Sequence, residues 1–234
     1  MKFVLIFVLA WLTGVNPPTD EVLVFSKTMG FRHESIEIGV KTIQDLGEQN
    51  NFKVTHTEDS KAFTTENLKN YKLVIFLNTT GDVLNDKEQA AFKSYINNGG
   101  NFLGVHAASD TEFDWPWYGK LVGAYFVSHP KACEADVIKV HTNHPAINHL
   151  KEDWIRFDEW YNFKSISPDI KPLLMLDETS YPGGENGDYH PIAWYQEYDG
   201  GRSFYTGLGH TKESYTDPDF IAHLWGGIQY CLKR

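Results

Sequence analysis

Short loops following apolar runs carry most of the side chains able to do chemistry in this chain. Gly30-Phe31-Arg32-His33-Glu34 follows one such run, and Gly104-Val105-His106-Ala107-Ala108-Ser109-Asp110 contains the end of another. Gly207-Leu208-Gly209-His210 follows a third, and Asp158-Glu159-Trp160-Tyr161 lies between them. Imidazole titrates near neutrality and a nearby carboxylate tunes it, so His33, His106, His210 and Glu159 are candidate acid–base groups. His33, His106 and His210, with the acid, are also a candidate site for a divalent metal such as zinc, although no HExxH or other compact ligand spacing marks one. Arg32 is a candidate clamp for an anionic or polyhydroxyl ligand; the competing reading is an ion pair to Glu34 or a nearby loop. Ser109 and Asp110 are candidate substrate contacts, and no base adjoins Ser109 to make it a nucleophile. Trp160 and Tyr161, with Trp115, Trp117 and Tyr118, are dense enough to stack on sugar rings or to cover a sheet. His129-Pro130, His144-Pro145 and His190-Pro191 read as turn elements.

For distant residues to share one rim, the elements that carry them must converge. Glu21–Ser26, Phe52–His56, Lys72–Leu77 and Asn101–His106 are short, mostly apolar strand candidates. Ile36, Val40, Ile43 and Leu46 recur at helical spacing, predicting a helix over Glu34–Gln49. Asn85 followed by Glu88 forms a capping box that opens a helix to about Asn98, and Gly99-Gly100 stops it. Strands alternating with helices in this way predict a parallel, doubly wound α/β sheet, whose ligands bind outside the carboxyl ends of the strands. Val137–His141, Leu173–Leu176, Ile192–Tyr195 and Ser203–Thr206 are further strand candidates. Asp217 and Pro218 open a closing helix with Phe220, Leu224, Ile228 and Cys231 on its buried stripe.

The chain has 234 residues, 41% hydrophobic and 22% charged, which fits one globular domain and excludes disordered or low-complexity classes. Its net charge of -10 repels phosphate backbones and anionic lipid, which argues against a nucleic-acid partner. Met1-Lys2 followed by the apolar run Phe3–Leu12 is too short to span a bilayer and fits a signal peptide over residues 1–20, predicting export to a periplasmic or extracellular space. The domain is then 21–234. Cys133 and Cys231 form no CxxC pair, so a zinc ribbon or thioredoxin-like site is excluded, and both read as inert small hydrophobes. No GxGxxG cradles a phosphate.

The stretches from Gly30 to Ile36, Gly99 to Ala108, Asp158 to Tyr161, Pro191 to Trp194 and Gly201 to His210 together resemble the ThuA-like (trehalose utilisation) family, in order, from about Glu21 to Arg234. The resemblance implies a flavodoxin-like three-layer sandwich similar to that of class I glutamine amidotransferases. His106 stands where those enzymes have their nucleophilic cysteine, so glutaminase chemistry does not carry over. The resemblance implies a small carbohydrate ligand and a hydrolase or lyase acting on a disaccharide, a glycoside or its 3-keto derivative. Two rivals use the same surface: a non-catalytic sugar-binding protein, and a partner-binding domain whose aromatics form an exposed patch.

Overall fold

The computed structural model describes residues 19–140 and 142–234. The signal-peptide reading falls outside the described residues except at Thr19 and Asp20, as does His141, the expected end of a strand. In chain order the elements are β1 (Asp20–Phe25), α1 (Ile36–Asn50), β2 (Phe52–Thr57), α2 (Thr65–Leu68), β3 (Leu73–Leu77), α3 (Asp86–Asn97) and β4 (Asn101–Val105). Then come α4 (Pro116–Val122), β5 (Tyr125–Ser128), β6 (Cys133–Lys139), β7 (Asp153–Asp158), β8 (Asn162–Lys164), β9 (Lys171–Leu176), β10 (Pro191–Tyr198), β11 (Gly201–Thr206) and α5 (Pro218–Leu232).

Nine strands form one sheet in the order β2-β1-β3-β4-β11-β10-β9-β6-β7, and β5 pairs with β8 apart from it. From β2 to β11 every pairing is parallel. Beyond β11 every pairing is antiparallel, so the less regular second half joins the sheet as a meander-like flank. The reason lies in the connections: Asp199 and Gly200, both at positive φ, turn β10 straight back into β11, leaving no room for a crossover helix.

Leu73 to Leu77 of β3 are all fully buried, as a strand covered on both faces must be. Phe76 and Phe102 meet Phe92 of α3 and Tyr118 of α4 on one face. The other face receives α1, where a Cβ on Gly39 would stand 3.2 Å from Leu77, and α5, whose Phe220 reaches the Val105 side near Gly209. The Asn85–Glu88 capping box is formed, and the Asp217 side chain caps α5. Both cysteines are free.

Direction counts as much as order. With four antiparallel steps beyond β11, β7 again runs parallel to the central strands and delivers its carboxyl end to the same rim. Five strand spacings separate β7 from β4, about 24 Å in a flat sheet. The flank closes that gap by curling over α5: Arg156 of β7 bonds Asp217 at 2.6 Å, and its guanidinium lies 5.0 Å from the Phe220 ring.

Candidate functional site

The strand-to-turn junction at the end of β4 sets His106. Its φ of 48° lies in the left-handed region, a strained conformation for a side chain of this size, and a 3-10 turn comes next over His106–Ser109. The small residues of this stretch are needed there, since a Cβ on Gly104 would meet Ala108 at 3.0 Å and Tyr205 at 3.1 Å. Nδ1 of His106 donates to the Gly207 carbonyl at 2.8 Å. That bond fixes the tautomer in the neutral ring and turns Nε2, with its lone pair, toward Glu159 Oε2 at 3.4 Å and His210 Nδ1 at 3.3 Å. The ring packs against Tyr161, centroid to centroid 4.1 Å.

Glu159 and His210 are placed by one buried acid, Asp158, at the end of β7. Its carboxylate accepts from the backbone N–H groups of Glu159 (3.0 Å), Gly209 (2.9 Å) and His210 (3.1 Å), and from Ser214 (3.3 Å). Arg156 balances its charge at 3.4 Å. Gly209 sits at φ 105°, where a Cβ would also crowd Val105 and Phe220, so glycine lets the loop after β11 close onto Asp158. His210 Nδ1 then stands 3.2 Å from Glu159 Oε2, and His129 Nδ1 lies 3.1 Å from Glu159 Oε1. His33, in the loop between β1 and α1, completes the group with ring centroids 5.0 Å from His106 and 5.2 Å from His210. One ligand atom from each of His33, His106, Glu159 and His210 lies within 4.8 Å of all the others.

The electrostatics of these groups differ. Burial, with the neighbouring His106 and His210, pushes His33 down to about 3, so it is neutral at physiological pH, and its Nδ1 is buried without a hydrogen-bond partner. Burial alone works to raise Glu159, but His106 and His210 hold its carboxyl well below the usual range. For His210, burial opposes the charged form, yet Glu159 and Asp158 raise it above its ordinary value. Burial lifts the half-buried Asp110 to about 6 against the pull of His106 and His129.

The other sequence candidates separate from this group. Arg32 is exposed and pairs with Glu37 at 2.7 Å and Glu58 at 2.9 Å, rather than with Glu34, which bonds Lys212. Ser109 is buried, its hydroxyl 2.9 Å from that of Tyr205. Trp160 is wholly buried and its indole N–H donates to the Cys133 carbonyl, so it offers no face to a sugar. Tyr161 is buried as the wall behind His106. Trp117 bonds Asp199 at the opposite, amino end of β11. The exposed aromatic at the rim is Phe31, 67% accessible, with its ring edge-on to His33 at 4.9 Å.

Three contributors escaped the sequence: His129, read as a turn residue; Asp158, read only as a neighbour of Glu159; and Phe31, passed over between Gly30 and Arg32. The one signal for them was adjacency to residues already singled out. A separate cavity of about 640 Å³ lies at the amino ends of β3 and β4, lined by Lys69, Lys72, Tyr95, Asn101 and Lys233. It contains no histidine.

Fold and site define an α/β protein with a histidine–carboxylate cluster at the carboxyl rim of its sheet. A family model described as ThuA, trehalose utilisation, matches residues 21–231, and the chain belongs to that family. Among solved structures it is similar to a ThuA-like protein of Bacteroides uniformis (23% identity, 98% of this chain and 95% of that one, TM-score 0.78). It is also similar to a ThuA-like protein of Parabacteroides merdae (18% identity, 93% and 91%, TM-score 0.75). Part of a β-galactosidase from Bacillus circulans sp. alkalophilus shares the fold at 12% identity and TM-score 0.60, over 92% of this chain and 32% of the enzyme. At these identities the likeness is one of fold. Among curated proteins none matches. Membership of a trehalose-utilisation family points to a carbohydrate-related role. Among the described residues no helix is long and apolar enough to cross a membrane.

Proposed function

We propose that this chain is a carbohydrate-metabolism enzyme of the ThuA-like type, acting on a disaccharide or glycoside, or on its 3-keto derivative. The observation that carries the reading is the convergence of His33, His106, Glu159 and His210 at one rim from four separate chain segments. The order β2-β1-β3-β4-β11 of the parallel half supports a flavodoxin-like reading, in which ligands sit outside the carboxyl ends of the strands. This rim is that place.

The group combines a neutral imidazole at His33, an ionised carboxylate at Glu159 and an imidazole biased toward its protonated form at His210. A proton acceptor and a proton donor thus stand side by side. In a 3-keto-glycoside the hydrogen on C2 is acidified by the adjacent carbonyl. His33 takes that proton, the electron pair forms the C1–C2 double bond, the glycosidic C1–O bond breaks, and His210 protonates the departing oxygen. Phe31 offers the face on which a sugar ring stacks, and Asp110 bonds its hydroxyls. The amino-terminal Lys-then-apolar run supports export to a periplasmic or extracellular space.

The test is a chromatographic product assay over native and oxidised disaccharides, run beside calorimetric titration of the same sugars. Release of a monosaccharide from a 3-keto substrate is expected. Saturable binding of sugars with no product from any of them would replace the enzyme with a sugar-binding protein.

A further inference from the structure

Within the cluster, three atoms stand in a near-equilateral triangle: His106 Nε2 to Glu159 Oε2 is 3.4 Å, His210 Nδ1 to Glu159 Oε2 is 3.2 Å, and His210 Nδ1 to His106 Nε2 is 3.3 Å. Ligands at about 2.0–2.1 Å from a tetrahedral zinc ion are separated from one another by about 3.3–3.4 Å. Octahedral neighbours at the same bond length would be closer, about 2.8–3.0 Å. The triangle therefore has the edge length of one face of a tetrahedral site.

Hydrogen bonds alone satisfy the triangle poorly. With Nδ1 of His106 bonded to the Gly207 carbonyl, the singly protonated ring leaves its Nε2 and the Glu159 oxygen as two acceptors facing each other, with His210 Nδ1 the remaining donor of the three. The surroundings are also those of a metal ligand set. An imidazole N–H bonded to a backbone carbonyl, as in His106, is the usual way a ligating histidine is oriented; His129 Nδ1, bonded to the Pro130 carbonyl at 2.8 Å, stands 3.1 Å from the second oxygen of Glu159. Two imidazoles and one carboxylate suit a borderline transition metal rather than magnesium or calcium. A ring nitrogen of His33 lies within 4.8 Å of the other three ligand atoms.

We propose that His106, His210 and Glu159 bind one divalent zinc-class ion, with His33 facing its fourth position. With the ion bound, His210 serves as a ligand, and the ion in place of His210 would meet the departing oxygen while His33 remains the proton acceptor. The inference rests on the reading of this rim as the sugar site only for its purpose: an ion there polarises a sugar carbonyl or hydroxyl. The coordination itself is independent of that reading.

The full chain, stripped with chelator and titrated with Zn(II) by calorimetry and with Co(II) by visible absorption, tests this. One equivalent of each is expected, with the bands of four- or five-coordinate Co(II). His106→Ala and Glu159→Gln are each expected to weaken binding by about 100-fold or more, and His33→Ala by about tenfold. Should His106→Ala fail to fold, His210→Gln replaces it. Absence of stoichiometric binding by the wild-type chain, or binding untouched by Glu159→Gln, overturns the proposal. Turnover of a keto-sugar by the stripped, metal-free protein would then leave the acid–base reading standing. Tight Zn(II) binding without turnover of any sugar would instead uphold the metal site and remove the proposed function.

Discussion

Apart from His190, which stands alone with Glu178 at 2.7 Å, the buried histidines among the described residues fall in two groups, and only one of them looks like a site. Beneath α5, His223 donates from Nδ1 to the Ala146 carbonyl at 2.9 Å and meets the Thr206 hydroxyl at 3.1 Å through Nε2. His144 accepts from the Ala146 N–H at 3.2 Å and otherwise packs among Tyr195, Phe204 and Tyr230. Burial lowers both, to about 3 for His223 and about 4 for His144. At the rim, His33 is lowered as far, yet beside it stand an ionised Glu159 and a raised His210. His33 Nδ1 and His144 Nε2 both lack a partner, so an orphan nitrogen alone does not distinguish the two places. The difference is the carboxylate. Beside it His210 is raised while His33 is lowered; beneath α5 both His144 and His223 are lowered and serve as polar core.

The largest effect that tests this contrast is on catalysis. His106→Ala is expected to lower kcat/KM on a 3-keto disaccharide by about 10²–10⁴-fold while circular dichroism shows the chain still folded. His223→Ala is expected to do the reverse, leaving kcat/KM within a few-fold and costing about 2–4 kcal/mol in denaturant unfolding. Equal losses of activity in the two variants would erase the distinction.

Asp158→Asn comes next, because it joins both roles. Weakening the acceptor of three backbone N–H groups, and leaving Arg156 without its buried partner, should cost about 3 kcal/mol and lower turnover as Glu159 and His210 lose their tether. Stability unchanged with turnover lost would move Asp158 into the chemistry itself.

Acid sharpens the comparison further. A histidine whose folded pKa lies below its unfolded value contributes stability that is whole above about 6.5 and is lost as pH falls toward the folded value. For His223 that window runs from about 6.5 down to about 3. His223→Gln keeps a hydrogen-bonding side chain that does not titrate. Its melting temperature should therefore fall less steeply between pH 6.5 and 4 than that of the parent chain. Parallel melting curves for the two proteins across that range would count against a neutral His223.

The smallest effect is expected at Arg32, whose exposed pairs with Glu37 and Glu58 are worth at most about 0.5 kcal/mol. Arg32→Ala should leave KM within twofold. A tenfold rise would restore it as a ligand clamp.

The parallel half was legible because each strand there is an unbroken apolar run bounded by a cap or a glycine pair. Asn85, Glu88, Gly99 and Gly100 mark α3 at both ends. The flank was harder to read. In β6 and β7 one face is exposed, with Ile138, Ile155 and Phe157 carried on the solvent side, so hydrophobicity does not report which way the strand turns. β7 went unread for this reason, and β5 and β8 because they are only four and three residues long. For the site, His33, His106 and His210 were visible because a parallel sheet presents the residues just past its strand ends. His129 was not, since its approach to Glu159 depends on the pairing of β5 with β8, two segments with no sequence link. Trp160 and Phe31 exchange places for a related reason: residue type cannot tell a ring that fills a core from one that lies over a cleft.

The curl of the flank also fixes when this site can exist. Glu159 leaves a strand at the outer edge of the sheet, and that strand is pinned through Arg156 to Asp217 and Phe220 at the head of α5. Because synthesis runs from residue 1 toward residue 234, the cluster has its full anchorage only after Asp217 and Phe220 have been made. Removal of α5 is therefore expected to abolish any turnover while His33, His106, Glu159 and His210 all remain in the chain.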